Sequence, residues 1–285
     1  MKPESLPVGK PPPLLRASGI SKTFRGRSGG PFSPARGRVA AVNDVSFEVG
    51  LNQVVGLVGE SGSGKSTLGR CILRLIEPDA GTIRIHLPDG RSEEIAALSQ
   101  ARLRSFRRPL QIVFQDPYHS LNPARPVWEI VGEGLIIEGG LGRGEIRERV
   151  AAILKQVGLE EDHMLRLPNA FSGGQRQRIA IARALVLNPA FLVCDEVTSA
   201  LDTRTQKQVI DLLRQIRHER GISLLFISHD LQTVASISDT VLVMRHGRIV
   251  EKGPPDRLFE YPENEYTRTL IRAVPNPDPV KRSFR

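Results

Sequence analysis

Sulfur and aromatic rings are scarce in this chain. Its 285 residues include two cysteines, three methionines and one tryptophan, and only 5% are aromatic. Cys71 and Cys194 lie far apart inside apolar segments, which excludes a disulfide framework or a cysteine-built metal cluster. Both read as small buried side chains in a reducing compartment. Missing as well is any apolar run of the roughly 18 residues needed to span a bilayer, so if the protein works at a membrane another chain must cross it. The stretch 1–13 holds Glu4, three consecutive prolines and no apolar segment. It is expected to be a disordered lead-in, not a secretory signal.

No extreme of composition excludes a folded globular chain: 25% of residues are charged and 40% hydrophobic. The length suits one large or two small domains. A net charge of +9 would suit an anionic partner, whether nucleotide, nucleic acid or membrane surface. Arg-rich loops and tails at 25–38, 102–108 and 281–285 account for the excess equally well.

Against these absences stands one dense motif. Gly59-Glu60-Ser61-Gly62-Ser63-Gly64-Lys65-Ser66-Thr67 fits G-x-x-x-x-G-K-[ST] at every specified position. The apolar run Val54, Val55, Leu57, Val58 before it reads as a buried strand, and 66–76 after it reads as a helix. Glycines at 59, 62 and 64 let the backbone turn tightly and aim its N–H groups, with the helix N-terminus behind them, at a phosphate. Lys65 would reach the β- and γ-phosphates, and Ser66 would ligate Mg²⁺.

Two further stretches carry chemistry. Phe191-Leu192-Val193-Cys194-Asp195-Glu196 is an apolar strand that delivers two carboxylates at its C-terminal end. Asp195 would hold Mg²⁺ and Glu196 would polarise an attacking water. Ser172-Gly173-Gly174-Gln175 opens a helical run with a hydroxyl and bare backbone N–H groups, which suits a second anion. Taken alone, the same residues make an ordinary serine N-cap with its turn.

Around these motifs, Val45, Phe47 and Val49 alternate with polar residues, as does the segment 81–86 before an Asp89-Gly90 turn. Both predict half-exposed strands of an antiparallel sheet. A short strand is expected at 14–18 with Phe24 beyond it, followed by a Gly/Pro/Arg surface loop over 25–38. Ile146, Val150, Ile153, Leu154 and Val157 follow a helical period within a helical insertion over 126–169. Helices at 173–187 and 203–220 alternate with buried strands at 110–114, 191–194 and 222–227, which argues for a mostly parallel α/β core. Segments 240–244 and 249–251 read as a closing hairpin across His246-Gly247.

The three motifs in this order resemble the nucleotide-binding subunit of ATP-binding cassette (ABC) transporters. The resemblance implies an α/β fold: a P-loop NTPase core with a mostly parallel sheet, an antiparallel β subdomain and an α-helical subdomain. It implies an ATPase that binds ATP and Mg²⁺. Gln115 falls in the Q-loop, a Mg²⁺ and water contact. Ser172-Gly173-Gly174-Gln175 is the signature, which acts on ATP held by a partner subunit. Ser199-Ala200-Leu201-Asp202 matches the D-loop at the dimer interface, His229 matches the switch histidine on the γ-phosphate, and Phe24 is the aromatic placed to stack on adenine. Taken singly, Gln115 reads as a solvated loop residue and His229 as a surface or capping group. Where the family usually has proline after the catalytic glutamate this chain has Val197, which is expected to loosen that turn while leaving the carboxylate in place.

Val113-Phe114-Gln115-Asp116-Pro117-Tyr118-His119-Ser120-Leu121-Asn122-Pro123 and the stretch from Tyr261 to Arg268 resemble the oligopeptide and dipeptide importer branch, which includes nickel importers. The form is most similar to the second of the two ATPases in such systems. Asn264-Glu265 departs from the branch's usual His-Pro, while Leu270, Ile271, Ala273 and Pro275 keep its pattern. Without a cysteine after 194, the iron-sulfur motif of some relatives is excluded. The implied organisation is a lead-in at 1–13, an ATPase domain at 14–260 with its helical subdomain at about 116–180, and a C-terminal extension at 261–285. Implied partners are a second ATPase subunit in a heterodimer, two transmembrane permease subunits and, indirectly, an extracytoplasmic solute-binding protein. The location would be cytoplasmic, on the inner face of the membrane, with no nucleic acid bound. The implied function is ATP hydrolysis that powers import of peptides across the cytoplasmic membrane, with nickel or another small solute as the alternative cargo. The further alternative is a soluble ABC ATPase acting on nucleic acid or ribosomes, for which the +9 charge is the sole support.

Overall fold

The computed structural model describes residues 12–25, 37–116 and 120–273. The start of the lead-in, most of the Gly/Pro/Arg segment, Pro117-Tyr118-His119 and Pro275 fall outside them. Two sheets form the frame. One has four antiparallel strands in the order β2-β1-β4-β5, formed by β1 (Leu15–Arg25), β2 (Arg38–Val49), β4 (Ala80–His86) and β5 (Ser92–Glu94). The other runs β10-β9-β3-β8-β7-β6 and is built from β3 (Val54–Val58), β6 (Leu110–Val113), β7 (Phe191–Asp195), β8 (Ser223–Ser228), β9 (Thr240–Arg245) and β10 (Arg248–Gly253). All its pairings are parallel except β9 with β10, the hairpin expected across His246-Gly247.

The parallel strands are apolar on both faces because both are covered. Leu225 and Ile227 of β8 join Val55, Leu57 and Val193 in a core shared with the antiparallel sheet and α1 (Lys65–Ile72). Leu224 and Phe226 point the other way, into a core with α6 (Thr203–Arg220) and α7 (Leu231–Ile237). That second core continues into α3 (Val127–Glu138), α4 (Arg143–Gln156) and α5 (Gly173–Leu185). Ile146, Val150, Ile153, Leu154 and Val157 are all buried there, as their spacing predicts. A short α2 (Gln100–Ser105) follows β5, and α8 (Pro255–Glu260) and α9 (Glu265–Ala273) close the described chain.

Two boundaries differ from expectation. The first strand runs on to Arg25 and carries Phe24 near its end, because the left-handed Gly19, with φ of 65°, sits within a register shift and the ladder resumes after it. The helix expected over 66–76 stops at Ile72. Arg74 takes the left-handed conformation, its N–H donates to the Cys71 carbonyl, and the Leu75 N–H reaches the Arg70 carbonyl at 2.8 Å each. This is a Schellman closure without the usual glycine. The Arg74 guanidinium holds it by bonding the carbonyls of Ile95 and Leu98.

Strand register decides where the chemistry collects. Val58 pairs with Ser228, Ile227 with Asp195, and Cys194 with Val113. The carboxyl ends of four parallel strands therefore lie side by side, and whatever follows each strand opens onto one crevice.

Candidate active site

The loop after β3 turns into α1 through Gly64, whose φ is 105°. A Cβ there would sit 2.0 Å from the Ala41 carbonyl oxygen, so geometry and space both demand glycine. No side chain caps α1 and no acid occupies its first turn, which leaves its leading N–H groups and positive dipole end open to an anion. Lys65 is buried and its ammonium donates to the carbonyls of Gly59 at 2.7 Å and Glu60 at 2.9 Å. Burial lowers its pKa, while Glu196, Asp195 and Glu60 pull the other way.

Ser66 donates from its hydroxyl to Asp195 Oδ1 at 2.7 Å. Asp195 is 1% exposed. Burial raises its pKa, opposed by the Ser66 hydrogen bond and by Arg70, whose guanidinium lies 3.6 Å from Oδ2. That Oδ2 accepts no hydrogen bond. A buried carboxylate oxygen with spare lone pairs beside a serine hydroxyl, with Gln115 lining the same cavity as that serine, is a hard-oxygen donor set of the kind Mg²⁺ takes, so these residues fit the ion.

Glu196 follows β7 in a left-handed conformation, φ 49°, with its N–H donated to the Ile227 carbonyl at 3.0 Å. This turns its carboxylate into the crevice, where Oε2 accepts from Gln115 Nε2 at 3.0 Å and lies 3.5 Å from His229 Nδ1. The turn beyond Glu196 is hydrogen-bonded with valine at 197. Val197 is buried in the core, and both the N–H and the hydroxyl of Ser199 donate to the Glu196 carbonyl, at 3.2 and 2.9 Å.

Ser61, Gly62, Gly64, Lys65, Ser66, Thr67, Gln115 and Glu196 line one cavity of about 240 Å³, with Ala41 as its far wall. The structure thus brings Lys65, Ser66, Gln115, Asp195, Glu196 and His229 together. Ser172 to Gln175 and Asp202 do not line this cavity. Ser172 accepts from the Gln175 N–H at 3.3 Å, and Gln175 Oε1 accepts from the Ser172 N–H at 3.0 Å, a complete capping box on α5. Asp202 caps α6 through the N–H groups of Arg204 and Thr205 and takes the Thr205 hydroxyl at 2.6 Å. The two are joined, since a Cβ at Gly174 would sit 2.4 Å from Thr205 Cγ2. Phe24 is 40% exposed on β1 and also lies outside the cavity lining. Arg70 was not singled out by any motif. Its one signal is its place four residues after Ser66, on the same face of α1.

A sequence profile of the ABC transporter family matches residues 42–199, more than half of the chain. The chain belongs to the ABC transporter family. This ABC ATPase is 46% identical over 273 residues to a putative peptide import ATP-binding protein of Brucella ovis, covering 96% of this chain and 82% of that one. It is 45% identical over 249 residues to the oligopeptide transport ATP-binding protein OppF of Bacillus subtilis, covering 87% and 80%. Among solved structures it resembles the dimeric, post-hydrolysis ATP-binding cassette MJ0796 bound to ADP and Pi. The TM-score is 0.73 at 28% identity, over 85% of this chain and 99% of that one.

The raised Asp195 pKa makes a stability prediction for the ABC ATPase. A carboxylate whose folded pKa lies above its unfolded value binds more protons when folded. The stability it contributes is complete at acid pH and is lost as pH rises through the folded value. Above that value the ionised Asp195 therefore opposes folding, and Asp195→Asn, which can still accept from Ser66, should raise the nucleotide-free Tm by about 2–4 °C. Scanning fluorimetry without nucleotide checks this; a lowered Tm would mean that Arg70 and Lys65 outweigh burial.

Proposed function

We propose that this ABC ATPase powers peptide import as one of a pair of ATPase subunits on the inner face of the cell membrane. It would couple to two transmembrane permease subunits and, through them, to an extracytoplasmic solute-binding protein. The curated relatives named for peptide import support the substrate class. Among the described residues no helix is long and apolar enough to cross a membrane, so the permeases would supply the spans.

In this reading the amides of 59–67 and the Lys65 ammonium bind the β- and γ-phosphates of ATP. Ser66, Asp195 and Gln115 would hold Mg²⁺, which when bound neutralises charge on the phosphates. Glu196 orients and polarises the attacking water, and Gln115 and His229 fix its carboxylate and read the γ-phosphate. The observation that carries the proposal is the convergence of Gln115 Nε2 and His229 Nδ1 on one oxygen of Glu196. Phe24 would stack on adenine. The capping box at Ser172–Gln175 takes up the Gln175 N–H and leaves those of Gly173 and Gly174, which would finish the site of the partner subunit. Asp202, packed through Thr205 against Gly174, would lie at the same interface.

Each chain then holds half of each of two sites. Specific ATPase activity should rise with subunit concentration, and adding the partner ATPase should raise it further. Turnover unchanged across a hundredfold dilution would contradict the half-site reading, and failure to co-purify with a permease would contradict the transport role.

A further inference from the structure

The phosphate loop is gripped from two sides. From within, Lys65 takes the carbonyls of Gly59 and Glu60. From without, the Glu60 N–H donates to the hydroxyl of Tyr266 at 3.0 Å, across 206 positions of sequence, and neither residue lines the cavity. Tyr266 lies on α9, beyond the residues matched by the family profile. Its ring is 5% exposed and the Arg245 guanidinium sits 4.6 Å from its centroid.

The helix that presents this hydroxyl is itself seated. Glu251 of β10 accepts from the N–H groups of Glu263 at 2.8 Å and Asn264 at 3.1 Å, and Asn264 Oδ1 accepts from the Tyr266 N–H at 2.9 Å. Leu270 and Ile271 pack on the core from the same helix. The hairpin adds a second anchor, since the Gly247 N–H donates to the Ser63 carbonyl at 2.9 Å. Both outer contacts come from the C-terminal third of the chain.

We infer that Tyr266 is a positioning residue for ATP binding, its hydroxyl setting the Glu60 peptide so that the rest of the loop presents its amides to phosphate. The inference rests on reading 59–67 as the phosphate loop. A loop with glycines at 59, 62 and 64 has much freedom to lose, and ordering it before the ligand arrives removes that cost from binding. Linkage makes the effect reciprocal: ATP held by the loop tightens the docking of α9. The C-terminal segment thereby senses nucleotide without touching it.

Tyr266→Phe in the full chain isolates the hydroxyl, because Phe keeps the ring, its burial and the Arg245 stack. By titration calorimetry the Kd for ATP should rise about fivefold, the worth of one net hydrogen bond. KM should rise in step while kcat holds within about twofold. Hydrogen exchange at the Glu60 amide should quicken, and the protection of 265–273 that ATP should confer on the native chain should shrink. Unchanged ATP affinity together with unchanged exchange at Glu60 would overturn the inference and leave Tyr266 a packing anchor. Lys65→Ala separates the two levels. If it loses ATP while Tyr266→Phe does not, the phosphate loop stands and the brace falls. If neither affects ATP affinity, the phosphate-loop reading itself fails.

Discussion

Glu196→Gln should cut ATP hydrolysis by about 100- to 10,000-fold, the usual worth of a positioned general base, while ATP still binds. The substitution is close to isosteric. The left-handed backbone at 196 and the Ser199 bonds to its carbonyl involve only main chain of this residue, so the turn should persist. Gln115 Nε2 can still donate to the new amide oxygen, so its loop keeps its place. What vanishes is the negative charge that polarises water in the proposed mechanism. With ATP bound and not consumed, the closed pair of subunits should accumulate and run as a dimer by gel filtration in ATP. Turnover at the native rate would remove Glu196 from the mechanism and leave its approach to His229 without a role.

The second large effect should come from Lys65→Ala. Its ammonium is buried, holds two loop carbonyls and faces the place of the phosphates. Loss of one charge-assisted contact to phosphate should weaken ATP binding about 10- to 100-fold. Fold stability should change far less, because burial already disfavours the charged lysine in the nucleotide-free protein and its removal relieves that cost. Calorimetric titration distinguishes this from a stability defect, provided the Tm without nucleotide is measured alongside. Unaltered affinity would place ATP somewhere other than this loop.

The two variants dissect one cavity. In the proposed mechanism Lys65 acts on ground state and transition state alike, so its loss should appear mainly in affinity. Glu196 in that mechanism acts on the attacking water, so its loss should appear in kcat.

Local features of the site were legible in sequence because their physics is local. Gly59 to Thr67 encodes its own turn, and Ser172 with Gln175 encodes its own capping box, each within a few residues. The α4 stripe of Ile146, Val150, Ile153 and Leu154 was legible through the helical period. The end of α1 was not, because a left-handed arginine replaces the expected glycine and is held by Ile95 and Leu98, more than twenty positions away. Nor was the full length of β1, since Gly19 reads as a break in sequence and is a bulge in the sheet.

Sequence alone determined which groups this protein can bring to a phosphate: the glycine-rich turn, one lysine, two adjacent acids, and a glutamine and a histidine that each follow an apolar strand. Only the tertiary structure decided that they meet. Parallel order β3-β8-β7-β6 sets four strand ends in line and swings Gln115 and His229 onto Glu196. It also carries Tyr266 back to the loop where the chain's chemistry begins. Contacts within a turn are written in neighbouring residues, whereas contacts between strands depend on which hydrophobic faces find each other, and no single segment records that.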